Sequence, residues 1–226
     1  MEDILQTIVA HKRREVALHI AHTPLETMRA RAEAVDRPTV SMSWALKTSS
    51  TGIIAEFKRR SPSKGWIARY AHPSDVAAAY ERSGAAAISI LTDGEFFGGG
   101  VSDLTAARAV TTLPLLRKEF IVHEYQIYEA RAAGADAVLL IASVLTPEEC
   151  RHLTDTAHAL GLETLLEIHS ADEIGHILPD TDMIGVNNRH LGTFHTDTEV
   201  SFTMADKLPH DRVLVSESGI SSAETI

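Results

Sequence analysis

Glu124-Tyr125-Gln126-Ile127-Tyr128-Glu129-Ala130-Arg131-Ala132-Ala133-Gly134-Ala135-Asp136-Ala137-Val138-Leu139-Leu140-Ile141-Ala142 holds one full unit of the fold. Residues 124–133 are alanine-rich and helix-prone. Gly134 then permits the left-handed backbone that ends a helix. The apolar run 137–142 has the length of a buried strand. The same helix ending recurs at Ser83-Gly84-Ala85-Ala86.

Outward from this stretch, the unit of strand, polar loop and alanine-rich helix repeats from Gly52 onward. Strands are expected at 53–57, 86–91, 114–117, 137–142, 163–168, 183–186 and 213–216. Helices are expected at 73–83, 103–110, 124–133 and 147–160. Such alternation predicts βαβ units and a parallel sheet. No Gly-x-Gly-x-x-Gly follows the first strand, which weakens a doubly wound dinucleotide-binding sheet. Polar residues end many strands, and a barrel gathers its site at those carboxyl ends.

The fold class expected is therefore α/β, a (β/α)8 barrel in one domain over 1–226. Residues 1–48 form a helical extension and 52–226 supply barrel strands one to seven. In the extension, Leu5, Ile8, Val9, Val16, Leu18 and Ile20 alternate with charged residues, and Pro24 and Pro38 punctuate the pattern. These amphipathic helices are expected to cover one end of the larger domain. Ser221 and Glu224 have capping-box spacing, so a helix is expected to begin there. The eighth strand and last helices are expected to be missing, leaving the barrel incomplete at its C-terminus.

A formal charge of -10 argues against a nucleic-acid partner but allows an anionic small substrate in a local basic pocket. The single Cys150 precludes an internal disulfide and fits a reducing cytosol. Met1-Glu2-Asp3-Ile4-Leu5 lacks a signal-peptide pattern, and the longest apolar run, 137–145, is too short to span a bilayer. A cytoplasmic protein with no membrane association is expected. Twelve histidines are scattered without His-x-x-x-His spacing, so no metal site is expected.

The strand ends carry the chemistry. Glu56 and Lys58, two apart, leave one face of the first strand. Arg117-Lys118-Glu119 end the third strand, Glu167 the fifth, Asn187-Asn188-Arg189 the sixth and Ser216-Glu217-Ser218 the seventh. In a barrel these converge on one mouth, where acids and bases can bind an anion and move its protons.

Five stretches carry a family resemblance. They are Glu56-Phe57-Lys58-Arg59-Arg60-Ser61-Pro62-Ser63 and Leu91-Thr92-Asp93-Gly94-Glu95-Phe96-Phe97-Gly98-Gly99. Next comes Leu116-Arg117-Lys118-Glu119-Phe120-Ile121 with Tyr125-Gln126-Ile127-Tyr128-Glu129-Ala130. Leu166-Glu167-Ile168-His169 follows, then Ile184-Gly185-Val186-Asn187-Asn188-Arg189 with Glu217-Ser218-Gly219-Ile220. In order and spacing the chain resembles indole-3-glycerol-phosphate synthase of tryptophan biosynthesis.

The resemblance implies a lyase that closes 1-(2-carboxyphenylamino)-1-deoxyribulose 5-phosphate to indole-3-glycerol phosphate, releasing carbon dioxide and water without metal or organic cofactor. It implies that Lys118 is the general acid, its pKa lowered by Lys58 or Arg189, and that Glu167 is the base of the dehydration. Glu56 would orient Lys118 or substrate hydroxyls, and Lys58 would bind an anion and relay a proton. Arg189 would hold the substrate carboxylate, with Asn187 and Glu217 positioning the ribulose chain. Ser61 falls in a loop that covers the substrate. Phe96, Phe97 and Leu139 are candidates for holding the anthranilate ring, and Ser218 and Gly219 for half of the phosphate site. The partner is thus a phosphosugar carrying an anthranilate group, met by a monomer or by a dimer paired through open barrel edges. The preferred account of the missing strand is a piece of a longer, ordinary enzyme. A second chain filling the gap and a truncated barrel that binds a phosphosugar ligand or a pathway partner without turnover are the alternatives, as is the neighbouring phosphosugar isomerase reaction.

Overall fold

In the computed structural model, which describes residues 4–189 and 195–220, Gly134 stands at φ 95° and stops a helix where a β-carbon would meet Arg108 Cγ at 2.7 Å. From the amino end, α1 (Ile4–His22), α2 (Leu25–Glu33) and α3 (Met42–Thr48) precede β1 (Ile54–Phe57). The loop after β1 folds into a small hairpin, β2 (Arg60–Ser61) with β3 (Gly65–Trp66). Then come α4 (Pro73–Arg82), β4 (Ala87–Leu91), α5 (Val101–Arg108), β5 (Leu115–Lys118), α6 (Glu124–Ala133) and β6 (Ala137–Ile141). α7 (Pro147–Ala159), β7 (Glu163–Ile168), a short 3-10 helix (Ala171–His176), β8 (Met183–Asn187), α8 (Glu199–Ala205) and β9 (Val213–Glu217) complete the described elements.

Seven parallel strands form one sheet in the order β1-β4-β5-β6-β7-β8-β9. Each main strand pairs with the next in sequence, as right-handed βαβ crossovers around a (β/α)8 barrel require. The strands begin and end within two residues of their expected bounds, and the helices do likewise. The hairpin, the 3-10 helix and α8 were not expected. The helix expected at Ser221 and Glu224 lies outside the described residues.

Side chains divide by parity, because successive residues of a strand face opposite sides. Ile88, Ile90, Leu115, Val138, Leu140, Leu166, Ile168, Ile184 and Val186 face outward and pack with the apolar stripes of the helices, among them Leu104, Ile127 and Leu153. Ala87, Leu116, Ala137, Leu139, Ile141, Leu165 and Met183 fill the interior. Met42 of α3 joins that inner group, fully buried, and closes the strands' amino ends. Glu163 fixes α3 there by accepting from Ser43 N–H at 2.8 Å and from the hydroxyls of Ser41 and Ser43.

At the opposite, carboxyl end of the strands lies α1, held by an ion pair. Lys12 is buried and reaches Asp93 Oδ2 at 3.0 Å and Glu119 Oε1 at 3.2 Å. A buried ammonium needs such partners, since desolvation alone would neutralise it. The carboxylates more than offset burial here and hold the Lys12 pKa above its ordinary value. Farther along, Val16 packs with Met28, Ala32, Tyr125 and Tyr128 and ties the first two helices to α6.

Candidate active site

The inward parity that places Leu116 in the core also turns Lys118 into the mouth of the barrel, two residues on. Glu56, Glu167, Asn187 and Glu217 stand at or next to the carboxyl ends of their own strands with the same inward parity. The register Asn187↔Glu217 sets those two side by side, and Glu167, paired with Gly185, lies one inward position before Asn187. Among the described residues β1 and β9 exchange no ladder hydrogen bonds, yet Lys118 touches both. Its Nζ is 3.1 Å from Glu56 Oε2 and 2.8 Å from Glu217 Oε2. The sheet therefore curls until its first and last strands face each other.

A cavity partly open to solvent lies above this cluster. Glu56, Lys58, Lys118, Glu119, Glu167, Asn187, Arg189, Ser61, Ser63 and Ser218 form its polar lining. Leu91, Phe97, Phe120, Leu139 and Ile141 line it from the barrel, and Ile4, Leu5 and Ile8 line it from α1. Ser61 and Phe97 share a wall because Arg60 N–H bonds the Phe97 carbonyl at 3.0 Å.

Three expected residues lie elsewhere. Phe96 is absent from the lining; its ring packs edge-on against His11 of α1, 5.6 Å between centroids. Glu217 lies behind Lys118 rather than on the cavity wall, and Gly219 follows the wall residue Ser218. Asp93 explains the division between the phenylalanines. One carboxylate oxygen accepts from both Phe96 N–H and Phe97 N–H, forming a tight turn that sends the two rings different ways. Arg117 and Asn188, beside Lys118 and Asn187 in sequence, have outward parity and serve the fold. Arg117 bonds Glu129 and the Gln126 carbonyl, and Asn188 bonds Ser216 and the Ser218 carbonyl.

The electrostatics correct one expectation. Burial would lower the Lys118 pKa, but Glu217, Glu56 and Glu167 outweigh it and hold the group well above its ordinary value. The expected lowering by Lys58 or Arg189 does not occur, because carboxylates are the nearest charges. Burial likewise opposes ionisation of Glu56, yet Lys118 and Lys58 hold its pKa at about 2. Lys58 Nζ contacts Glu56 Oε1 directly. Glu217 behaves in the opposite way. Burial raises its pKa to about 7, with Glu167 and Glu56 adding repulsion that Lys118 only partly offsets. Its Oε1 is buried without a hydrogen-bond partner.

Glu167 is set by a different group. Its Oε1 accepts from Asn187 Nδ2 at 3.1 Å and lies 3.2 Å from His169 Nε2. Burial opposes its charge, but His169 and Lys118 prevail and its pKa is lowered. Arg189 is oriented by its N–H to Asn187 Oδ1 at 3.0 Å and by Nε to Thr196 Oγ1 at 3.3 Å.

Neither His169 nor the α1 wall was singled out as part of the site by sequence. The apolar spacing of Leu5 and Ile8 signalled a buried helix face, but not which end of the barrel it would cover. His169 shares the inward parity of Glu167, and that spacing of two was the available signal. Among the described residues no cluster of His, Cys, Asp and Glu could hold a metal ion, and no helix is long and apolar enough to cross a membrane.

Comparison with known proteins places this arrangement. Solved structures share the fold at low identity. The YdjI aldolase of Escherichia coli superposes with a TM-score of 0.56 at 20% identity, covering 82% of this chain and 75% of its own. A tryptophan synthase complex of Pyrococcus furiosus gives a TM-score of 0.55 at 12% identity, covering 76% of this chain and 80% of its own. Sequence relatives are much nearer. An indole-3-glycerol phosphate synthase of Bacteroides thetaiotaomicron is 53% identical over 226 residues, all of this chain and 86% of that protein. One of Burkholderia cenocepacia is 47% identical over 225 residues, 98% of this chain and 86% of that protein. The family model described as indole-3-glycerol phosphate synthase matches residues 5–226, and the chain belongs to that family.

Proposed function

We propose that this chain is the lyase that closes 1-(2-carboxyphenylamino)-1-deoxyribulose 5-phosphate to indole-3-glycerol phosphate, with loss of carbon dioxide and water. The observation that carries the reading is the divided cavity. An apolar wall from α1 and the barrel, suited to an aromatic ring, faces Lys118 and Glu167 across one space.

In this reading the anthranilate ring rests between Ile8, Phe97 and Leu139, and Arg189 takes its carboxylate by two parallel donors. Ring carbon then attacks the ketone while Lys118 stabilises the growing negative charge on oxygen. The alkoxide formed is more basic than any lysine, so Lys118 can hand over its proton despite its raised pKa. Carbon dioxide departs and the ring regains aromaticity. Glu167 next takes the proton whose loss forms the indole double bond, and the hydroxyl leaves as water with a proton from Lys58. Glu56 steadies both lysines. Asn187 positions the ribulose chain, Glu217 acts from behind by holding Lys118, and Ser218 and Gly219 offer part of the phosphate cradle. Holding the reacting carbons together supplies much of the rate.

The same proposal takes residues 1–226 as one barrel domain with residues 1–48 as its helical extension. It places the protein in the cytoplasm, as a monomer unless the edge strands pair. Indole fluorescence appearing when the substrate is added tests the function. A folded chain that binds substrate yet yields no indole would reject it.

A further inference from the structure

His169 follows β7 by one residue and leaves the strand on the same face as Glu167. It contributes nothing to the cavity lining, whereas Glu167 does. Its ring stands between two carboxylates: Nε2 is 3.2 Å from Glu167 Oε1 and Nδ1 is 3.6 Å from Glu173 Oε2. All three side chains are largely shielded from solvent. Glu173, on the 3-10 helix, is fixed in turn by accepting the backbone N–H of His169 at 2.6 Å. His176, at the end of that helix, has one ring nitrogen against the Glu173 carbonyl and the other against the Leu145 carbonyl, so the loop is anchored on both sides.

We propose that His169 is a positioning residue: clamped between Glu173 and Glu167, it holds Glu167 Oε1 in place and leaves Oε2 to meet the substrate. The proposal rests on the functional reading above and adds a residue to it. Asn187 Nδ2 reaches Oε1 as well, so the oxygen that His169 approaches is the one already occupied. The contacts of His169 are ion-pair approaches rather than aligned hydrogen bonds, since neither ring nitrogen has a hydrogen-bond partner. Their strength therefore depends on the ring being an imidazolium. The charges around it favour that form. Burial would discharge the ring, but Glu167 and Glu173 prevail and its pKa is raised to about 9. Beyond these two, Lys118 of β5 faces Glu167 from across the barrel, and Glu217 of β9 adds a carboxyl near neutrality. A neutral side chain at position 169 would leave Lys118 as the one strong cation acting on Glu167. The carboxylate would then turn toward Lys118 and away from the substrate.

Two measurements test this on the full chain. In the first, nitrogen-detected NMR of the imidazoles follows His169, assigned by the signal lost in His169→Gln. The ring is expected to stay charged through pH 8, with its midpoint falling by at least one unit in Glu173→Gln. A midpoint near that of a free histidine, or one indifferent to Glu173→Gln, overturns the proposal whether or not the chain turns over. In the second, His169→Gln and His169→Asn are expected to lower kcat about 10- to 100-fold with KM within threefold. The acid limb of the kcat profile is expected to rise by half a unit or more, as Glu167 becomes harder to ionise. Parental kcat, or a loss confined to KM, overturns the role. Glu173→Gln leaves His169 itself in place and supplies the same kinetic comparison if the His169 variants do not fold. A parent that makes no indole counts against the functional reading alone, because the NMR result stands without turnover.

Discussion

Lys118 on β5 donates to Glu217 on β9 at 2.8 Å across the mouth of the barrel, between residues 99 positions apart. The same ammonium reaches Glu56 on β1, so one side chain links three strands that are not neighbours in the sheet. A lysine so placed is the shared cation of three acids, Glu217, Glu56 and Glu167, whose mutual repulsion it offsets only in part. Lys118→Ala and Glu167→Gln should each lower kcat at least ~100-fold, the scale of a lost acid or base. Near-ultraviolet circular dichroism should show the fold retained. Near-parental turnover in either variant would remove these residues from their roles.

Gly185 is held to glycine by Glu217. A β-carbon there would stand 2.1 Å from Glu217 Oε1, so in Gly185→Ala the carboxylate must swing aside. The obstructing atom is the end of a side chain, so the fold should survive with a modest loss of stability. The contact to Lys118 should not. We expect kcat to fall about tenfold or more with Tm lowered by a few degrees, measured by steady-state kinetics and thermal melts. Unchanged kcat would mean that Glu217 contributes nothing through its present position.

Lys12→Met should act on binding and stability together. It leaves Asp93 and Glu119 buried without their cation, a loss of about 3–5 kcal/mol for a broken buried pair. It also frees α1, which carries Ile4, Leu5 and Ile8 on the cavity wall. Urea melts should therefore show reduced stability, and KM should rise more than kcat falls. Intact stability in the variant would show that α1 is held by apolar packing alone.

Stability should fall as pH rises through the range in which His169 titrates. Its folded pKa, about 9, lies above the ordinary value of 6.5. The stabilisation is complete below 6.5 and is lost as pH climbs through 9. The raised pKa corresponds to about 3 kcal/mol. Glu217 adds an opposite-charge case with the same slope but a lower window. Its raised pKa lowers stability progressively from 4.5 to about 7, a window that ends as the His169 loss, starting at 6.5, sets in. Urea melts at pH 6.5 and pH 9.5 should separate the parent from His169→Gln, which should show a flatter dependence. Equal slopes would deny the imidazolium its stabilising role.

Much of the barrel was legible in local pattern. Gly134 ends α6, Pro147 opens α7 under the Thr146–Glu149 capping box, and apolar runs at 88–91 and 137–141 form buried strands. Those features depend on residues within one or two turns of each other. The hairpin at Arg60–Ser61 escaped notice because a two-residue ladder has no periodicity to detect. The 3-10 helix at Ala171–His176 was missed for the same reason. Strand parity paired Glu56 with Lys58 on one face, while the runs at 117–119, 187–189 and 216–218 were read only as strand ends.

Chain order and side-chain period thus suffice for the strands, the helices that join them and the face on which each polar strand end emerges, because backbone preference is a short-range property. Through-space relationships required the folded molecule. Phe97 faces the cavity while Phe96 packs on His11, and α1 covers the carboxyl end of the strands rather than the other end. Lys118 sits among carboxylates that raise its pKa, not beside cations that would lower it. Each outcome follows from distances between segments far apart in sequence. Coulomb interaction and desolvation depend on those distances and on local burial, which no local pattern in the chain encodes.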